Sequence, residues 1–102
     1  MPTAPTIETT RPQAAASRVL TVRYFAWVRE KVGRAEERIE VPAGVATVAD
    51  LVAWLKTQGA EYEAAFGTAG VVRAALDQTH VKPAHLLTGA KEVAFFPPVT
   101  GG

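Results

Sequence analysis

The chain has no cysteine in its 102 residues. It can therefore form no disulfide, offer no thiolate to a metal and hold no persulfide on a side chain. It also has no apolar run near the roughly 20 residues that span a bilayer, and its N-terminus lacks the apolar core of a secretory signal. A cytoplasmic protein with no membrane partner is expected. Charge of one sign is missing too: 11 Lys and Arg against 10 Asp and Glu leave a net charge of +1. The two signs are interspersed with no basic patch, so composition gives no electrostatic argument for nucleic acid. The two histidines, His80 and His85, have no carboxylate or cysteine at ligand spacing, and no metal site is expected. Gly67-Thr68-Ala69-Gly70 lacks the lysine and spacing of a phosphate cradle. No nucleophile–base pair stands out. Lys31, Lys56 and Lys91 read as solvated lysines and Asp50 as a helix cap.

What is present suits one domain with a modest core. Met1 to Ser17 is rich in Pro, Thr and Ala without apolar periodicity, so residues 1–17 read as a disordered extension and 18–98 as the folded unit. From Arg18 the pattern alternates, with Leu20, Val22, Tyr24 and Ala26 on one face and Val19, Thr21, Arg23 and Phe25 on the other. That is a half-buried strand. Arg29 to Gly33 is charged and ends in glycine, and Arg38-Ile39-Glu40-Val41 alternates again before Pro42, so an antiparallel hairpin is expected.

The helix signal follows. Thr47 and Asp50 have capping-box spacing, and Val48, Leu51, Val52 and Leu55 form one apolar stripe at i, i+3, i+4 and i+7. Lys56 sits at the negative end of the dipole and Gly59 reads as the stop. A short second helical piece is expected over Glu61 to Phe66. Val71 to Leu76 and Thr79 to Val81 read as strands around an Asp77-Gln78 turn, Pro83 breaks the second, and Glu92 to Phe96 is the last strand. Two strands, one amphipathic helix and later strands imply an α+β fold, a mixed sheet of four to five strands packed on one main helix. Such a sheet leaves its other face open, where Phe25, Trp27 and Phe96 are candidate partner anchors as well as candidate core.

The last eight residues are the most informative: Phe95-Phe96-Pro97-Pro98-Val99-Thr100-Gly101-Gly102. Pro97 and Pro98 lack a backbone N–H, so a strand arriving through Phe95 and Phe96 ends there and an extended arm remains. Its tip, Gly101-Gly102, has no side chain to bind with and the greatest freedom to lose on ordering. Two glycines before a carboxylate make sense where a partner threads the tip through a channel too narrow for any Cβ and acts on the carboxylate.

The stretch Glu92 to Gly102 resembles the end of the small, sulfur-carrying subunit of molybdopterin synthase, a family of ubiquitin-like β-grasp proteins. Tyr24-Phe25-Ala26-Trp27-Val28-Arg29-Glu30-Lys31-Val32-Gly33 is similar to that family's first strand and following turn, and Ala74-Ala75-Leu76-Asp77-Gln78-Thr79 to its central hairpin. Where the family usually has Asp-Gly-Asp before the last strand, this chain has Gly89-Ala90-Lys91.

The resemblance implies parallel pairing of the first and last strands and a flexible sulfur-carrying tail over residues 99–102. It implies that a ubiquitin-activating-type adenylyltransferase, using ATP, converts the Gly102 carboxylate to a glycyl adenylate, that Gly102 then becomes a thiocarboxylate, and that no cofactor is permanently bound. Phe96, Pro97, Pro98, Val99, Thr100 and Gly101 would enter the large catalytic subunit, in a heterotetramer, where sulfur passes to cyclic pyranopterin monophosphate. The chain would donate and its partner catalyse. Sulfur carriage for thiamin thiazole or RNA thiolation, a ubiquitin-like protein modifier joined to lysines through Gly102, and a β-grasp binding module remain alternatives.

Overall fold

The computed structural model describes residues 17–67 and 72–98. Both terminal assignments, the extension over 1–17 apart from Ser17 and the tail over 99–102, lie outside the described residues. So does Val71, placed above in the strand that ends at Leu76.

The elements run β1 (Arg18–Tyr24), α1 (Ala26–Val32), β2 (Glu36–Val41), α2 (Val48–Leu55), α3 (Ala60–Phe66), β3 (Arg73–Leu76), β4 (Thr79–Val81) and β5 (Glu92–Phe96). Five strands form one mixed sheet in the order β2-β1-β5-β3-β4. β1 lies antiparallel to β2 and parallel to β5, with Val22 opposite Val93 and Tyr24 opposite Phe95. β5 is also antiparallel to β3. The last strand of the chain is thus the middle strand of the sheet, as the β-grasp arrangement requires.

Alternation assigns the two faces. Leu20, Val22, Tyr24, Val93 and Phe95 are at most 1% exposed and face the helices, where they meet Val48, Leu51 and Leu55 of α2 and Tyr62, Ala65 and Phe66 of α3. The ring of Phe95 sits at the centre, 4.9 Å from that of Phe66 at 75° and 6.3 Å from that of Tyr24. Fully burying one such side chain stabilises by about 1.5–3 kcal/mol.

Three sequence expectations need correction. The segment after β1 is not a bare hairpin turn: the strand stops at Tyr24, Ala26 swings the chain out at φ +54, and seven residues form α1. The cause is the pair Val28 and Val32, one helical turn apart and both buried, which a charged turn would leave in water. Ala26 therefore belongs to α1 and not to the core face of β1. Gly33, at φ +89, closes α1, its N–H donating to the Arg29 carbonyl. Finally, Gly59 does not stop α2, which ends at Leu55 with Lys56 as its cap; Gly59 precedes α3 as its N-cap.

The α2 start matches the sequence closely. The Asp50 N–H donates to Thr47 Oγ1 at 3.1 Å, and the Thr47 N–H donates to Asp50 Oδ2 at 3.1 Å. Backbone donors, Thr47 first and then Ala46, hold the Asp50 carboxyl below its ordinary range. Two further N–H groups of this first turn, those of Val48 and Ala49, donate to the carbonyls of His85 and Pro83 at 3.0 and 2.8 Å. The long connection after β4 thus completes the helix cap, and Leu87 from the same connection is fully buried.

Candidate functional site

The arm expected from the sequence begins where β5 ends. Phe95 and Phe96 point to opposite faces: Phe95 is locked in the core, and Phe96 lies half-buried on the face that no helix covers. The Phe25 N–H donates to the Phe95 carbonyl at 3.0 Å, which carries the parallel ladder one residue past Tyr24 and sets Phe25 level with the exit. Phe25 is 44% exposed. Pro97 and Pro98 follow outside any strand and are partly covered. The remaining predicted tail residues, Val99, Thr100, Gly101 and Gly102, lie outside the described residues.

Register gives the rest of this open face. Thr21 lies opposite Glu92, Arg23 opposite Ala94, Ala75 opposite both Ala94 and His80, and Arg73 opposite Phe96. Ala75 is only 5% exposed although no helix covers it. The His80 ring stands 5.0 Å from that of Phe96 at 43°. Further along the sheet Arg23 makes surface ion pairs with Glu36 at 3.3 Å and Glu92 at 3.8 Å. The face is therefore apolar around Phe25, Ala94, Phe96 and Ala75, with Arg73 beside Phe96 and the Arg23 ion pairs further along. Of the three aromatic residues considered as anchors, Phe25 and Phe96 are brought to this exit, whereas Trp27 packs half-buried against the core.

The last turn before β5 is built without Asp-Gly-Asp. Gly89 takes φ +80, and Asp77, from the distant β3–β4 turn, accepts from the Lys91 and Glu92 N–H groups through Oδ1 at 3.1 Å each. The carboxylate that fixes the start of β5 thus comes from another part of the chain. Asp77 and Gln78 both have positive φ, 47° and 73°, the geometry of a two-residue hairpin turn.

Sequence reasoning missed a polar cluster on the opposite side of β1. Glu37 of β2 accepts from Tyr24 Oη at 2.8 Å, Tyr62 Oη at 2.5 Å and Arg34 Nη1 at 2.8 Å. Burial pulls the Glu37 carboxyl up, but the donors Tyr62, Tyr24 and Arg34 outweigh it and leave the pKa below its ordinary value. Burial first, then Glu37, drives Tyr24 far above the ordinary phenol range and pushes Tyr62 up to about 12. Each hydroxyl is held as a donor, so the cluster joins β1, β2 and α3. No feature of the sequence pairs these four residues, because the pairing needs the register of β1 on β2.

Among the described residues no group of His, Asp or Glu is placed to hold a metal ion, and no helix is long and apolar enough to cross a membrane. His85 serves through its backbone at the α2 cap, and its Nδ1 lies 2.8 Å from the Leu86 carbonyl.

Residues 22–102 match the ThiS family. Over 84 residues the chain is 43% identical to the molybdopterin synthase sulfur carrier subunit of Escherichia coli (strain K12), covering 82% of this chain and 100% of that one. Among solved structures, a putative molybdopterin converting factor subunit 1 from Pyrococcus furiosus superposes with a TM-score of 0.63 at 30% identity, covering 79% of this chain and 98% of that chain. SAMP1 from Haloferax volcanii superposes with a TM-score of 0.62 at 22% identity, covering 83% of this chain and 100% of that chain, which shows a shared ubiquitin-like fold and no more. On the family match and on the full-length identity to the bacterial subunit, this chain belongs to the ThiS family.

Proposed function

We propose that the protein is a sulfur carrier of molybdenum cofactor biosynthesis, the small, non-catalytic subunit of a molybdopterin synthase. The observation that carries this reading is the terminal run Phe95 to Gly102, which begins at the end of the central strand, in a chain 43% identical to the E. coli sulfur carrier subunit.

A carboxylate is a poor electrophile, so Gly102 must be activated. An adenylyltransferase joins the Gly102 carboxylate to the α-phosphate of ATP and releases pyrophosphate. Sulfur at the sulfide oxidation level, as hydrosulfide or released as such by a donor, then attacks the acyl carbon and AMP leaves with one of the former carboxylate oxygens, so that this oxygen is replaced by sulfur. With no cysteine in the chain, that terminal thiocarboxylate is the form in which it carries sulfur. In the large catalytic subunit the sulfur bonds to cyclic pyranopterin monophosphate, and water cleaves the acyl–sulfur bond to restore the Gly102 carboxylate.

The body of the protein serves docking. Phe25 and Phe96 at the exit offer aromatic surface beside the arm, the kind of anchor that dominates interface energetics. Pro97 and Pro98 limit the conformations the arm must give up on entering the partner. Channel width is tested by Gly101-Gly102, where any Cβ would meet the wall.

Two measurements test the proposal. Protein purified from its native host should contain a species in which sulfur replaces one oxygen at Gly102, seen by intact mass and localised by fragmentation. In a reconstituted synthase, one residue added after Gly102 should abolish sulfur transfer, and Gly102→Ala should reduce it steeply while the melting temperature stays at the parent value. Normal transfer by the extended chain would refute the role of the terminal carboxylate.

A further inference from the structure

The open face contains one group that an apolar docking surface does not need. Ala75 and Ala94 are small, and over this floor the His80 ring lies against Phe96, 5.0 Å between centroids. Ala75 is left 5% exposed on a face without a helix. The exposed imidazole of His80 thus lies on this surface against Phe96, which precedes Pro98 by two residues.

We propose that His80 belongs to the surface that meets the large catalytic subunit and that its protonation weakens docking, making the sulfur-transfer complex sensitive to acid. This inference rests on the proposed function. A neutral imidazole packs against an aromatic ring and a partner surface with one N–H to satisfy. An imidazolium carries a charge that docking would strip of water, and burial of an uncompensated charge is unfavourable.

The charged groups around it do not supply compensation. Arg73 of β3 lies in register with Phe96, Arg23 of β1 lies in register with Ala94, and Lys82 follows His80 by two residues. The carboxylates of Glu36 on β2 and Glu92 on β5 are paired with Arg23 at 3.3 and 3.8 Å. That of Asp77, in the adjoining turn, accepts from the Lys91 and Glu92 backbone. Histidine is the side chain that ordinarily gains a proton within the range pH 5 to 8, around 6.5.

The chain has two histidines, which makes the test clean on its side of the interface. The dissociation constant for the large subunit is measured by calorimetry at pH 7.5 and 5.5 for the parent, H80L, H80Q and H85Q, with thermal melts to check folding. Titrations within the large subunit are common to all four and cancel in the ratios. In the parent and in H85Q the constant should rise several-fold more on acidification than in H80L or H80Q, because docking disfavours the protonated imidazole. Equal pH dependence in parent, H80L and H80Q would overturn the inference while leaving the proposed function standing, and so would tighter binding by the parent in acid. Failure of all four to bind at pH 7.5 would overturn the docking reading and this inference together.

Discussion

At the scale of the residue, Glu37 shows how one carboxylate can join three elements. Its two oxygens accept from Tyr24, Tyr62 and Arg34, which belong to β1, α3 and the loop before β2. Glu37→Ala leaves two partly buried hydroxyls to find water, at a cost of about 1–3 kcal/mol, read as a lowered urea midpoint. The pH dependence has two limbs. Glu37 has a folded pKa below its unfolded value, so its contribution is present above the ordinary carboxylate pKa and is lost as the pH falls through the depressed one. Tyr62, pushed up to about 12, favours the neutral phenol in the fold, so its contribution is complete below the ordinary tyrosine value and is lost as the pH rises toward 12. Melting temperatures from pH 2 to 7 should show a shallower acid decline in Glu37→Gln than in the parent. Those from pH 8 to 12 should show a shallower alkaline decline in Tyr62→Phe.

At the scale of the element, α2 and the β3–β4 turn draw on different forces. The apolar stripe of α2 is held by burial: Leu51 and Leu55 are 0% and 1% exposed and cover the sheet. Leu51→Ala should cost about 2–5 kcal/mol, a large part of the stability of a domain this small, and an unchanged urea midpoint would remove α2 from the core. The turn is held by backbone conformation. Gln78 takes φ +73 in a position where glycine has no steric penalty, so Gln78→Gly should raise stability by up to about 1 kcal/mol, checked by thermal melting. Asp77 takes a positive φ as well, but it accepts from two N–H groups at the start of β5, so replacing it should be destabilising.

At the scale of the whole molecule, the sheet order separates the core from the open face proposed above for docking. The middle strand β5 directs Phe95 inward and Phe96 outward, so one dipeptide serves the core with one ring and the open face with the other. The two faces should therefore respond independently. Phe25→Ala, at a position 44% exposed, should leave the melting temperature within a few degrees of the parent and weaken binding to the large subunit ten-fold or more. Phe95→Ala, at a position with no exposure, should lower stability by about 3–5 kcal/mol. A calorimetric titration in which Phe25→Ala binds like the parent would remove the open face from the docking surface.

Local patterns in the sequence determined much of this. Alternation marked β1 from Arg18, the Thr47–Asp50 spacing and the stripe from Val48 to Leu55 marked α2, and Asp77-Gln78 and the residues Glu92 to Phe96 marked the hairpin turn and the last strand. Each signal is carried by residues a few positions apart, where propensity and periodicity act. The terminal Gly101-Gly102 needed no fold to be noticed. The tertiary structure alone decided what depends on distant partners. The helix α1 exists because Val28 and Val32 find the core, although the segment reads as a charged turn. Gly59 begins a helix because α2 ends early at Leu55. Asp77 sets the start of β5 from 14 residues away, and His80 meets Phe96 because β3 places their strands on one face. Such pairings arise from strand register and helix packing, which bring together residues that no local period relates.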